Sequence, residues 1–288
     1  MPDLYLGKQT VVKDNDWDFG NAHIHGAGSL GVEGNIMSMP PDFDSLGENW
    51  TDISLNVRNY NSVATSSSGK YSSVTVLGGV IYNTTDYGVT WSQSNNASNA
   101  NWKKIVISAT GQYQSACIIN GGIMYSIDYG VNWTNSNAST NNWTDIAISS
   151  SGKYHSACVN GGNVFNSDDF GATWTLTNVI TDSWTTVSVS SKGDIQTVVS
   201  LLHIYISNDY GVTWGISSGD ISTSAVDMIM SADGKYQTII GSGGVYYSDT
   251  SGNNWDTSSD MTNITMNCIA TSALGEFQVI GTDASGVF

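Results

Sequence analysis

The chain has 288 residues, enough for one large all-β domain or two smaller ones. Only 12% of residues are charged and 31 are glycine, a profile of short strands and tight turns that excludes long charged helices. With 25 acidic against 9 basic residues the formal charge is −16, which argues against nucleic acid and anionic membranes as partners.

The N-terminal stretch MPDLYLGKQTVVKDND has no basic start leading into an apolar run. Nowhere do about 18 apolar residues follow one another. A soluble protein without a recognisable signal peptide and without membrane insertion is expected. Residues 1–42 lie outside the repeat that follows, and GNAHIHGAGSLGVEGNI alternates apolar and small residues with closely spaced glycine. This segment reads as a β-rich stalk or oligomerisation segment. His23 and His25 sit two apart, so on a strand their imidazoles project from one face.

From residue 43 to 288 a repeat governs the chain. Trp50, Trp91, Trp133, Trp174, Trp214 and Trp255 are separated by 41, 42, 41, 40 and 41 residues. Four of them end the phrases TTDYGVTW, SIDYGVNW, SDDFGATW and SNDYGVTW, while Trp50 and Trp255 end the looser SLGENW and SDTSGNNW. In the four full phrases Asp86, Asp128, Asp169 and Asp209 can accept backbone N–H bonds inside a hairpin turn. Gly88, Gly130, Gly171 and Gly211 can supply the positive φ that closes it. One period, written out for the third repeat, holds the strands WTDIAIS, YHSACVN, NVFNSDD and TWTLTN. Four antiparallel strands per period make a propeller blade. Ile105 and Ile107, Ile146 and Ile148, Val187 and Val189, and Met228 and Met230 alternate along the first strand and should fill contacts between blades. A second tryptophan, Trp102, Trp143 or Trp184, opens that strand in three repeats and reads as packing before lectin chemistry.

The last repeat stops at Phe288 after two strands and part of a third, and GENWTDIS matches GVTWSQS. The expected fold is therefore all-β: a six-bladed β-propeller of four-stranded antiparallel blades, closed by an N-terminal strand. Cys117 and Cys158 fall in the matching phrases QSAC and HSAC of adjacent repeats and, with Cys268, read as buried free thiols.

The four phrases resemble the Asp box, or BNR repeat, in which the hairpin is a structural device on the propeller rim. The resemblance covers about 245 residues and implies that Asp86, Asp128, Asp169 and Asp209 serve folding. The wording GKYxS…GGxIYxSxDYGxTW resembles Asp-box domains of giant-virus fibre-like proteins, and residues 1–42 resemble stalk modules of viral and phage fibres. Those resemblances imply a structural or host-attachment module at a virion surface, a homotrimer joined through the N-terminal segment, and a cell-surface glycan or another virion protein as partner. They also imply that His23 and His25, if three copies met on an axis, would surround an iron ion. A free-standing carbohydrate-binding propeller is the alternative. Photosystem II assembly factors share the Asp box, but basic patches typical of them are lacking in this acidic chain.

Enzymatic activity is disfavoured. Sialidases, which share the Asp box, grip a carboxylate with three arginines, and Arg58 is the one arginine of this chain. Other glycosidases need two facing carboxyl groups. Outside the hairpins the acids include Asp145, Asp182, Asp194, Asp220, Asp227, Asp233, Glu276 and Asp283, most of them expected in turns. No nucleophile elbow, zinc motif or phosphate-binding loop occurs. The loops SNNASNAN, NSNASTNN and TNVITDS are the expected contact surfaces, with no ligand assigned.

Overall fold

A computed structural model describes residues 59–218, 224–258 and 264–282, together with short backbone strands outside these ranges. Trp50, His23, His25, Asp220 and Asp283 lie outside the described residues. The described residues are all-β and form consecutive antiparallel units. Unit I comprises Arg58–Thr65, Ser72–Val76, Ile81–Thr84 and Ser92–Gln93. Unit II comprises Trp102–Ile107, Gln114–Gly121, Ile123–Ser126 and Thr134–Asn135. Unit III comprises Asn141–Ile148, His155–Gly162, Val164–Ser167 and Thr175–Leu176. Unit IV comprises Asp182–Val189, Gln196–Ser200, Ile204–Ser207 and Gly215–Ile216. Unit V comprises Ala225–Met230, Gln237–Gly241, Gly244–Ser248 and Asp256–Thr257. Unit VI comprises Met266–Thr271, Gln278–Thr282 and Gly286–Val287.

The chain ends do not close a ring among the described strands. Thr51–Asp52 pairs with Met37–Ser38, and Gly286–Val287 pairs with Gln278–Thr282. Glu33–Gly34 pairs with Arg58 and Asn59, so the first strand of unit I draws a neighbour from the segment before residue 42.

Units II to V are each sandwiched between two neighbours, so both faces of their first strands are buried. Val106 joins Cys117 and Ile123 of unit II to Trp143, Ile146, Ile148 and Trp174 of unit III. Ala147 and Cys158 then join unit III to Trp184, Val187, Val189 and Trp214 of unit IV. Odd and even positions therefore face opposite neighbours, and the alternating pairs read from the sequence account for one face only. A single hydrophobic cluster fills each seam between successive units.

The hairpin between third and fourth strands is built locally. In unit I the Thr84 hydroxyl accepts from Gly88 N at 3.1 Å and donates to Asp86 Oδ1 at 2.7 Å. Asp86 then accepts from Thr90 N and the Thr90 hydroxyl, at 2.9 and 2.6 Å. Trp91 Nε1 donates to the Gly88 carbonyl. The same bonds recur around Asp128, Asp169 and Asp209. In unit V, Thr250 takes the place of the aspartate and its hydroxyl accepts from Asn254 N.

The glycine is only half of the turn. The residue before it, Tyr87, Tyr129, Phe170, Tyr210 or Ser251, also has positive φ, between 56° and 65°. Two successive positive φ values are the backbone signature of a type I′ hairpin. A bulky residue there costs roughly 1–2 kcal/mol, which ring stacking between units offsets. Tyr71 stacks on Tyr129 at 4.3 Å, Tyr113 on Phe170 at 4.2 Å, and Tyr154 meets Tyr210 at 4.7 Å. Each partner tyrosine also lies flat on the turn glycine of the next unit: a Cβ at Gly111, Gly152 or Gly193 would fall within 2.6 Å of Tyr71, Tyr113 or Tyr154.

Candidate functional site

Every first strand carries a register shift at one place, between Tyr60 and Ser62, Trp102 and Lys104, Trp143 and Asp145, Trp184 and Thr186, Ala225 and Asp227, and Met266 and Cys268. A β-bulge re-aims the side chain that follows it. Here Ser62, Lys104, Asp145, Thr186, Asp227 and Cys268 form a row, one per unit. Its members reach from one unit to the next. Ile105 N donates to the Ser62 hydroxyl at 3.1 Å, Val187 N to Asp145 Oδ2 at 3.0 Å, and Ile269 N to Asp227 Oδ2 at 3.3 Å.

Three members of the row are ionisable, Asp145 and Asp227 buried and Lys104 partly so. Lys104 Nζ lies 2.5 Å from Asp145 Oδ1. Asp145 also accepts from Ile146 N and the Thr186 hydroxyl, so its lone pairs are well used. Asp227 is 5% exposed and accepts from Met228 N at 2.9 Å, with no cation within ion-pair distance among the described residues. Burial pushes its carboxyl up to about 7, Lys104 pulling down and Asp145 pushing up. Burial opposes the charge of Lys104, but Asp145 and then Asp227 hold its ammonium above the ordinary lysine value. Asp227 stands three units beyond Lys104 and bonds onward to Ile269 N of unit VI.

Most of the acids outside the hairpins are expected in turns, with Asp145 inside the strand WTDIAIS read from the sequence. Asp145, Asp182 and Asp227 all lie in first strands. The signal was available in the aligned repeats: Trp-Lys-Lys, Trp-Thr-Asp, Trp-Thr-Thr and Ala-Val-Asp occupy one slot, and its third residue changes charge from copy to copy.

The hairpin carboxylates are dispersed, one to a unit, and engaged. Hydrogen bonds from Thr90 hold Asp86 below the ordinary carboxylate value. Burial works against the charge of Asp128, Asp169 and Asp209, but bonds from Asn132, Thr173 and Thr213 prevail and lower all three. The tryptophan indoles are likewise occupied. Trp133, Trp174 and Trp214 bond to their own hairpin glycine carbonyls, and Trp102, Trp143 and Trp184, each at most 1% exposed, donate to Gly79, Gly121 and Ile180 carbonyls.

In unit IV, Ser200, Asp182 and His203 come together. The Ser200 hydroxyl donates to Asp182 Oδ2 at 2.6 Å, and His203 Nδ1 meets the same oxygen at 2.7 Å. The serine points at the carboxylate and accepts from Leu202 N and His203 N. Its proton is directed at Asp182, and the His203 imidazole meets that carboxylate rather than the hydroxyl, so the serine–histidine contact of an activated nucleophile is not made. Of the three free thiols Cys268 is half-buried rather than buried, and burial pushes Cys117 up to about 12 and raises Cys158 as well, which disfavours their thiolates. Among the described residues no group of three His, Cys, Asp or Glu side chains is placed to hold a metal ion. No helix among them is long and apolar enough to cross a membrane.

The loops between units are partly structural. Asn137 Oδ1 accepts from Trp174 N at 2.6 Å, and Asn178 Oδ1 from Trp214 N at 3.1 Å, each clipping one unit to the next. An open cleft of 440 Å³ lies along Asn95, Asn96, Ser98 and Asn99 in the loop after unit I.

This arrangement of sandwiched four-stranded units is that of a β-propeller, and solved structures of that fold resemble the chain. It is similar to YCF48 bound to D1 peptide, with 19% identity, 81% of this chain and 79% of that chain covered, and a TM-score of 0.61. It is also similar to an ancestral GH74 enzyme, with 15% identity, coverage of 76% and 34%, and a TM-score of 0.60. The GH74 enzyme of Niastella koreensis gives 19% identity, coverage of 70% and 31%, and a TM-score of 0.54. The chain thus spans about a third of each GH74 chain, and at these identities the likeness concerns the fold alone. No protein-family profile matches the chain, and no curated protein matches it.

Proposed function

We propose that this chain is a non-catalytic binding propeller whose recognition centre is the row that contains Lys104, Asp145 and Asp227. One observation carries the reading. The slot after the bulge is served by a hydroxyl or thiol in Ser62, Thr186 and Cys268, whereas burying an ion there costs several kcal/mol. The fold does not need these charges. A positively charged group, an amine or a guanidinium, would let the Asp227 carboxyl ionise, so the row favours a cationic ligand.

A second reading has support in the same residues. A carboxyl raised to about 7 beside a salt-bridged carboxylate is the pattern of a general acid and its partner. The low exposure of Asp145 and Asp227, 3% and 5%, and their bonds to backbone N–H groups bear equally on both readings, so hydrolysis is what separates them. The test is to incubate the chain with a polysaccharide panel and measure new reducing ends, alongside glycan arrays and arrays of lysine- and arginine-containing peptides. Retained binding without hydrolysis is expected. Hydrolysis that vanishes in Asp227→Asn would replace the binding reading with the enzymatic one.

The finer form of the proposal is a six-bladed ring closed by the N-terminal strand and acting in host attachment in a viral or phage fibre-like protein at the virion surface. It includes a homotrimer through residues 1–42, iron at His23 and His25, and a cell-surface glycan or virion protein as partner. This form rests on the sequence resemblance. Mass in solution, with and without residues 1–42, tests it: a trimer that depends on the segment is expected, and a monomer in both cases removes trimer and metal together.

A further inference from the structure

A belt of hydrogen bonds ties second strands together across the seams. Ser73 donates to Gln114 Oε1 at 2.7 Å, Ser156 to Gln196 Oε1 at 2.5 Å, Thr197 to Gln237 Oε1 at 2.9 Å and Thr238 to Gln278 Oε1 at 2.9 Å. The amides of Gln114, Gln196 and Gln237 complete the motif by donating to the carbonyls of Gly111, Gly193 and Gly234. Between units II and III the glutamine is replaced by histidine. His155 Nε2 lies 3.1 Å from the Ser115 hydroxyl, but Nδ1 has no hydrogen-bond partner. The ring is fully buried, packed edge-on against Trp174 at 5.8 Å.

We propose that His155 makes the seam between units II and III an acid-labile joint, which loosens below about pH 6 while the glutamine seams hold. An imidazolium needs two acceptors or a counter-ion. The strand Gln114–Gly121 offers Ser115 and the neutral thiol of Cys117. The hairpin of unit III offers Asp169, whose carboxylate is taken up by Ser167 and Thr173, and the turn before His155 offers the Lys153 carbonyl, which already accepts from Phe170 N and makes no hydrogen bond to Nδ1. Burial dominates over both of these and pushes the imidazole down to about 3. A seam that opens lets the ring protonate near the ordinary value of about 6.5, so each pH unit below that favours opening about tenfold.

Hydrogen exchange on the full chain, corrected for intrinsic rates, tests the joint at about pH 7.5 and about pH 5. Peptides covering Gln114–Gly121 and His155–Gly162 should lose roughly 30-fold in protection relative to Gln196–Ser200, a strand outside the unit that holds Asp227. His155→Gln, which restores the motif of the other seams, should lose less than about threefold. Equal changes at both seams in the wild type would overturn the proposal, and that comparison stands even if the variant folds poorly. An equal loss in His155→Gln would overturn it too.

Discussion

Asp227 offers the sharpest check on the energetics of the inner row. In the unfolded chain its carboxyl titrates near the reference value of 3.8, and in the fold at about 7. The folded state therefore holds the proton more tightly, so this group's contribution is fully present below pH 3.8 and is lost as pH rises to about 7. Each unit of that interval is worth about 1.4 kcal/mol, so between about pH 5 and about pH 8 the wild type loses roughly 3 kcal/mol through this residue. Asp227→Asn has no charge to bury and keeps one oxygen, which serves Met228 N or Ile269 N but not both, a loss that is the same at both pH values and so cancels in the comparison. Urea unfolding followed by tryptophan fluorescence should show the variant gaining roughly 3 kcal/mol on the wild type between these pH values. His155 has the opposite slope, but it is present in both proteins and cancels. If the difference between variant and wild type is the same at both pH values, Asp227 is ionised in the fold and the account of the row is wrong.

Two further outcomes follow from the same geometry. Lys104→Met strands the Asp145 carboxylate in the interior and should destabilise by about 3–5 kcal/mol near neutral pH, with part of the loss recovered in acid, as read by unfolding at both pH values. Gly152→Ala combines a φ of 78° with a Cβ 2.5 Å from that of Tyr113, whereas at Gly161, with φ of 66°, a Cβ meets nothing within 4 Å. Thermal melts should therefore place Gly152→Ala lower than Gly161→Ala by about 1–3 kcal/mol, the cost of an overpacked contact.

Much of the fold was legible because its recurring devices are local. The hairpin around Asp169 is closed by residues no more than four apart, and a local device leaves its spelling in consecutive letters. The tyrosine clasps were half legible. The GKY phrase recurs, but that Tyr113 lies on Gly152 and stacks against Phe170 follows only from how adjacent units pack.

The sequence by itself determined the period, the four strands within it and the hairpin chemistry, since each depends on near neighbours. Only the tertiary structure decided that Lys104 and Asp145 meet across a seam and that Asp227 is buried. That placement needs a bulge in each first strand and the packing of one unit on the next, neither of which is written at any one position. It also decided which buried groups are left incompletely served. His155 reads like one more residue of a strand until the seam shows the glutamine partners it lacks, because satisfaction of a buried polar group depends on what folds against it.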